Sequence, residues 1–298
     1  MSDLVNSDLF DSDLFDSDGA IFMSSRRQPA ACSVAIFGVP YDGTTSFRPG
    51  ARFGPAAIRE VSNGIESYCP QLNLDLEDLA FVDLGAVNIP FGAPEPVVAA
   101  VKQATEAVLA LGLKPLMLGG EHSISSGAVA AVAAKHPDLV LIQLDAHADL
   151  RHEWLGSNHS HACAMRRCLE VLPSKQLLQM AIRSGSRAEF KELHQTNRLV
   201  AIEQMARALQ PLRGTPIYLT VDLDWFDPAV LPGTGTPEPG GFLWSDFACL
   251  IDELRHHNLV AADVVELAPM LDPSGVSSIF EAKVVRSLLL LINGIPND

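Results

Sequence analysis

The stretch Asp138-Leu139-Val140-Leu141-Ile142-Gln143-Leu144, running straight into Asp145-Ala146-His147-Ala148-Asp149, decides how this chain folds. Its apolar part does not alternate with polar residues, so it predicts a strand buried on both faces. Such strands belong to parallel sheets covered by helices. The polar cluster begins where the apolar run stops. In open parallel sheets, chemistry gathers at the carboxyl ends of the strands.

Working outward, similar short runs recur at residues 32–37, 80–84, 115–118, 177–182, 199–202, 216–221 and 259–265. Helical stretches lie between several of them, at 94–113, 125–136, 245–257 and 280–292. In the first, Val97, Val98, Val101, Ala104, Val108 and Leu109 fall at largely three-to-four spacing. Strands alternating with helices predict a three-layer α/β/α sandwich with a mostly parallel, about eight-stranded sheet. No linker divides it, so residues 31–298 are expected to form one domain.

The residues just past each strand form an unusual set. Residues 115–118 lead into Gly119-Gly120-Glu121-His122-Ser123, and 216–221 into Asp222-Leu223-Asp224. Residues 259–265 lead into Glu266. Carboxylates crowded together repel one another and take up protons unless cations are present. Mixed Asp and His donors suit Mn²⁺, Fe²⁺, Ni²⁺, Co²⁺ or Zn²⁺ better than Ca²⁺ or Mg²⁺. Alternate residues of an extended segment share a face, so Asp145, His147 and Asp149 can point together, as can Asp222 and Asp224. His122 adds a third direction, and the donor number suits two ions. Taken alone, His122 reads more readily as a core or capping residue, and Asp222 with Asp224 as a solvated loop or a helix cap. All three groups on one sheet edge carry the metal reading.

Two loops complete the expected cleft. Residues 232–241, dense in Pro and Gly, predict a tight irregular wall near Asp222 and Asp224. No Lys-Ser/Thr follows, which argues against a phosphate cradle. Asn158-His159-Ser160-His161 brings histidine, a proton carrier near neutral pH, beside the cluster.

Bulk properties narrow the partners. A net charge of −15 without basic clusters argues against nucleic acid and mildly favours cationic ligands. Cys32, Cys69, Cys163, Cys168 and Cys249 are scattered without a CxxC pair. That argues against a disulfide framework or cysteine zinc site and fits a reducing compartment. No apolar run approaches the roughly 20 residues that span a bilayer. Residues 284–292 come nearest, and Arg286 interrupts them. Without a signal-peptide pattern, a cytoplasmic location and no membrane partner are expected. Residues 1–30 read as an acidic tail, disordered or loosely docked. Ser-Asp-Leu-Phe-Asp occurs at 7–11 and again at 12–16, and Phe10 and Phe15 are expected to stay solvated.

With these motifs in hand, the chain resembles the ureohydrolase family of arginases, agmatinases and relatives such as guanidinobutyrase. The resemblance spans about residues 33–291. It includes Gly38-Val39-Pro40-Tyr41-Asp42-Gly43-Thr44-Thr45-Ser46, the Arg48-to-Arg59 segment, Asp222 to Pro228, the Gly/Pro loop and Asp263-Val264-Val265-Glu266. It implies an arginase-like fold, assembly as a homotrimer or homohexamer, and hydrolysis of a guanidino group to urea and an amine. It implies two divalent ions, foremost Mn²⁺ with Ni²⁺ as an alternative. His122, Asp145, Asp149 and Asp222 would hold one; Asp145, His147, Asp222 and Asp224 the other. Glu266 would orient the guanidinium and His161 would shuttle protons.

The loop at 150–161 lacks the Ser-Gly-Asn-Leu-His-Gly type of sequence found in arginases. Asp149-Leu150-Arg151-x-Glu153, followed by Ser160-His161-Ala162-x-x-Met165-Arg166-Arg167, resembles prokaryotic agmatinases, as does Glu121. The expected substrate is therefore a small cationic guanidino compound, agmatine, giving putrescine and urea. Glu153 and Arg151 are the candidate substrate-facing residues. Guanidinobutyrate, guanidinopropionate, arginine and guanidine are the alternatives within the class. A metal-dependent amide deacetylase and a non-catalytic scaffold are the alternatives outside it.

Overall fold

Each apolar run becomes a strand in a computed structural model, which describes residues 14–294. The strands are β1 (Phe15–Asp16), β2 (Val34–Val39), β3 (Tyr68–Cys69), β4 (Leu74–Asp75), β5 (Phe81–Val87), β6 (Lys114–Gly119), β7 (Val140–Leu144), β8 (Leu177–Met180), β9 (Leu199–Val200), β10 (Pro216–Asp222) and β11 (Asn258–Val265). β3 and β4 pair with each other. The rest form one sheet in the order β1-β5-β2-β6-β11-β10-β7-β8-β9. Among the described residues of this sheet, only the β1–β5 pairing is antiparallel.

The helices are α1 (Gly54–Ser62), α2 (Pro94–Ala110), α3 (Ser125–Lys135), α4 (Ala164–Cys168), α5 (Arg187–Thr196), α6 (Met205–Leu209), α7 (Trp244–Leu254) and α8 (Val276–Asn293). Successive strand residues point to opposite faces, and each face has its own core. Val34, Ile36, Leu116, Leu118, Ile142 and Leu219 meet Ile58 of α1, Phe247 of α7 and Leu288 of α8. Ala35, Phe37, Met117, Leu141 and Tyr218 meet Val101 of α2, Val129 of α3, Met165 of α4 and Leu193 of α5. The result is the three-layer α/β/α sandwich read from the sequence. Helix ends fall short of the apolar pattern where the backbone turns. α2 stops at Ala110 because Leu111 closes it and Gly112 takes φ 77°.

The second half of the acidic tail departs from the expected loosely docked segment. β1 pairs Phe15 with Val87 and Asp16 with Ala86. Phe15 is buried and packs edge-on against Phe37, with ring centroids 6.0 Å apart. Phe22 is fully buried, and its amide donates to Asp83 Oδ2 at 2.8 Å. Gly85 makes the docking fit: it has φ 83°, and a Cβ there would strike the Asp16 carbonyl. The acidic composition concealed two apolar anchors. Phe10 and the first copy of the repeat lie outside the described residues. Among the described residues, no helix is long and apolar enough to cross a membrane.

Candidate metal centre

β6, β11, β10 and β7 are consecutive neighbours, and all run parallel. Their carboxyl ends therefore share one edge, which brings the four strand-end clusters together. His122 begins a short 3-10 turn after β6 and is fully buried. Its Nδ1 lies 3.0 Å from Asp145 Oδ2, 3.1 Å from Asp149 Oδ2 and 3.3 Å from Asp222 Oδ2. Despite that reach it makes no hydrogen bond of acceptable angle. On the other side, Nε2 lies 2.9 Å from Thr220 Oγ1, which donates to Asp263 Oδ1 at 2.5 Å. Thr220 spends its single proton on Asp263, so it accepts from His122 Nε2–H. That places a proton on Nε2 and turns Nδ1 toward the three carboxylates.

The second histidine repeats this orientation. His147 Nδ1 lies 2.8 Å from Asp224 Oδ2 and 3.6 Å from Asp145 Oδ1. Two donor groups result, His122–Asp145–Asp149 and Asp145–His147–Asp224, with Asp145 in both. Within each group the donor atoms lie within 4.8 Å of one another. Backbone amides aim the carboxylates. Asp145 Oδ1 accepts from His147 N at 2.5 Å, Asp224 Oδ1 from Ala146 N at 3.0 Å and Asp222 Oδ1 from Asp224 N at 2.9 Å. Asp149 and Glu266 sit at φ 52° and 72°, a left-handed backbone that costs non-glycine residues on the order of 1–3 kcal/mol. Glu266 is held there by donating its amide to Gly120 O and accepting from His122 N at 2.8 Å.

Protonation shows what the cluster lacks. Burial opposes charge on His122, yet contacts with Asp145, Asp149 and Asp222 raise its pKa well above the ordinary histidine value. Burial and the Asp145 charge push Asp149 up to about 7. Burial, with Asp224 and Asp145, raises Asp222 well above the carboxylate range, and burial with Glu121 does the same to Glu266. Asp145 alone of these is lowered: burial would raise it, but His122 and His147 outweigh that. The site thus binds protons wherever positive charge is missing. An imidazole nitrogen aimed at such carboxylates fits divalent cations, whose binding displaces those protons.

Above the cluster, His161 Nδ1 lies 3.9 Å from Glu266 Oε1, and Nε2 lies 3.0 Å from Ser46 Oγ. Burial first, then the nearby His147 and His122, lowers its pKa to about 4. Glu121 stands apart from the donor groups. It is buried and fastens the 43–46 loop, accepting from Thr44 N at 2.7 Å and from the Thr44 hydroxyl. Thr44 Oγ1 in turn accepts from His161 N at 3.0 Å.

A cleft of about 220 Å³ opens over these residues, lined by Ser46, His147, Arg151, Trp154, His161 and Glu189 among others. The Arg151 guanidinium stacks on Trp154, 4.1 Å from the ring centroid, and its Nε lies 4.0 Å from Glu189 Oε2. Glu153 is exposed and does not line the cleft. Trp154 and Ser157 exchange backbone hydrogen bonds at 3.0 Å, and the tight turn brings Trp154 inward, leaving Glu153 outside.

Sequence reasoning gave no role to Thr220, Asp263 or Arg183, though Asp263 stands in the Asp263–Glu266 motif. Arg183 donates to the carbonyls of Asp224 (2.6 Å), Trp225 (3.2 Å), Glu238 (2.8 Å) and Pro239 (3.2 Å), and so clamps the Gly/Pro loop onto the end of β10. Thr220 carried a usable signal, since it lies two residues before Asp222 on the same strand face. Arg183 carried none, because backbone acceptors leave no trace in a sequence.

A family model described as the Arginase family matches residues 32–291. The agmatinase of Bacillus subtilis (strain 168) is 36% identical over 278 residues, spanning 91% of this chain and 96% of that one. The mitochondrial guanidino acid hydrolase of Homo sapiens is 34% identical over 276 residues, spanning 88% and 78%. The solved agmatine ureohydrolase of Thermoplasma volcanium superimposes with a TM-score of 0.82 at 31% identity, covering 91% of this chain and 94% of that one.

Proposed function

The chain belongs to the arginase family, and on that premise we propose that this ureohydrolase cleaves agmatine to urea and putrescine with two divalent cations, Mn²⁺ foremost. The observation carrying the metal reading is the pair of donor groups sharing Asp145, with His122 Nδ1 aimed at three carboxylates. His122, Asp145, Asp149 and Asp222 would hold one ion; Asp145, His147, Asp222 and Asp224 the other. Carboxylates with one imidazole per ion suit Mn²⁺, and the set also accommodates Ni²⁺. When bound, such ions would lower the pKa of coordinated water and supply a nucleophile near neutral pH.

The chain's own residues do the rest. Glu266 offers carboxylate oxygen to the guanidinium N–H groups and holds the electron-poor carbon over the centre. His161, kept neutral by burial, accepts a proton at its ring and returns it to the departing amine nitrogen. Guanidinium plus water thus becomes urea plus a protonated amine. Assembly as a homotrimer or homohexamer, and a cytoplasmic location, belong to the same reading.

Agmatine is favoured by the agmatinase-like 150–161 loop and by Arg151, whose charge is already engaged by Trp154 and Glu189. A guanidino acid is the second reading, because Arg151 still forms part of the cleft wall and could meet a carboxylate. Urea release by Mn²⁺-loaded protein should give kcat/KM at least about 10-fold higher on agmatine than on guanidinobutyrate or arginine, the ratio set by about 1.4 kcal/mol. Equal or better efficiency on a carboxylate-bearing substrate would transfer the assignment to guanidino acids. No urea from any of them would overturn the ureohydrolase reading.

A further inference from the structure

We propose that Glu238 is a positioning residue for His147, an outer carboxylate that fixes the ring so that Nδ1 meets the second ion. The proposal rests on the two-metal reading given above. An imidazole that offers one nitrogen to a cation needs a partner for the other, or its tautomer and ring angle drift. His122 has Thr220 for this purpose, deep in the fold. His147 is the more exposed ring, its side chain 25% accessible against 1% for His122. Packing therefore fixes it least.

His147 turns Nδ1 toward Asp224 and Asp145, so Nε2 faces outward. There the carboxylate of Glu238 lies at ion-pair distance, with Oε1 3.8 Å from Nε2. Glu238 is itself held in place. Its Oε1 accepts from Ser184 Oγ at 2.9 Å, and its carbonyl accepts from Arg183 at 2.8 Å. Ser184 is tied to the same strand end as His147. Its amide donates to Ala146 O at 2.8 Å, and its carbonyl accepts from Ala148 N at 3.1 Å. The Gly/Pro loop, Ser184 and the 145–149 segment thus form one frame around the outer edge of His147. A carboxylate in that place also strengthens the imidazole as a donor.

The test is titration of metal-free protein with Mn²⁺, following free ion by electron paramagnetic resonance, with thermal unfolding of the metal-free forms alongside. Wild type should bind two ions. Glu238→Ala should weaken one of them about 10–100-fold and leave the other unchanged, with Glu238→Gln intermediate and Ser184→Ala shifted in the same direction. Metal-free melting should not move, because the Glu238 side chain is 38% exposed at the protein surface. Both affinities within about twofold of wild type would overturn the proposal. So would equal loss of both ions with a lowered melting temperature, which marks a purely structural role. A raised KM at unchanged ion affinity would also overturn it, since Glu238 would then meet the substrate. Fewer than two ions on wild type would instead remove the two-metal reading itself, and this proposal with it.

Discussion

Glu281 offers a direct test of how burial governs this protein. It lies on α8, fully buried, and neither carboxylate oxygen has a hydrogen-bond partner among the described residues. Burial alone raises its pKa well above the ordinary value of 4.5. A charged carboxylate there would be uncompensated, so the folded protein holds Glu281 protonated. The unfolded chain releases that proton above its ordinary value. Recovering it at pH 7 costs about 1.4 kcal/mol for each of roughly 2.5 pH units, or about 3.5 kcal/mol. The folded pKa is raised, so the stability contribution is complete below the unfolded value and is lost as pH climbs toward the folded one. Glu281→Gln removes the linkage while nearly preserving shape. The stability of variant minus wild type should therefore grow by about 1.4 kcal/mol per pH unit between about pH 5 and 7. Urea denaturation of the metal-saturated proteins reads it directly. If unfolding proves irreversible, melting temperature serves, at about 2 °C per kcal/mol for a chain of this size. Glu281→Leu, which also removes an unsatisfied polar group, should stabilise further at every pH. A difference that stays flat across that range would refute the reasoning, because the carboxylate would then be charged and partnered in the folded state.

Two further outcomes follow from the same structure. Asp145 is common to both donor groups, so Asp145→Asn should lose at least one ion by elemental analysis and lower urea production at least about 100-fold, and two tight ions with normal turnover would contradict the shared-ligand geometry. Asp272 accepts from Ser277 N at 2.8 Å and from the Ser274 and Ser277 hydroxyls at the start of α8. Burial opposes this charge, but those bonds lower its carboxyl to about 2. Asp272→Ala should cost about 0.5–2 kcal/mol at neutral pH. That contribution is present above the ordinary aspartate value and is lost as pH falls through about 2, so a loss that persisted in strong acid would count against it.

The eight parallel strands are legible in the sequence because burial on both faces forces continuous apolar runs, and residues 138–144 show the rule most clearly. The clustering of the candidate donors is legible for a related reason: alternation places Asp145, His147 and Asp149 on one side once the strand is recognised. β1 is not legible, since two residues carry no period and the surrounding acid masks Phe15. Nor is Glu238 as a neighbour of His147, because the two are 91 positions apart and meet only through the Gly/Pro loop. Glu153 misled for the opposite reason: its charge suited a cationic ligand, but a turn that no composition reveals faces it to solvent. Glu281 reads in sequence as an ordinary helix residue, and only three-layer packing shows that both its oxygens are stranded.

The two ends of the sheet differ in a way that bears on how the protein behaves in a concentrated solution. β9, at one end, is two residues long and offers little for another chain to pair with. β5, near the other, is seven residues long, and its outer side would be an open template for aggregation. The tail runs along it. Leu14 O accepts from Asn88 N, β1 covers Ala86 and Val87, and Arg26 exchanges backbone hydrogen bonds with Phe81 and Asp83. A chain begun at Ala31 would keep every residue of the metal centre and lose this cover, along with the acidic charges that repel neighbouring molecules. Removing the tail should therefore lower the yield of soluble protein more than the turnover of the protein that folds.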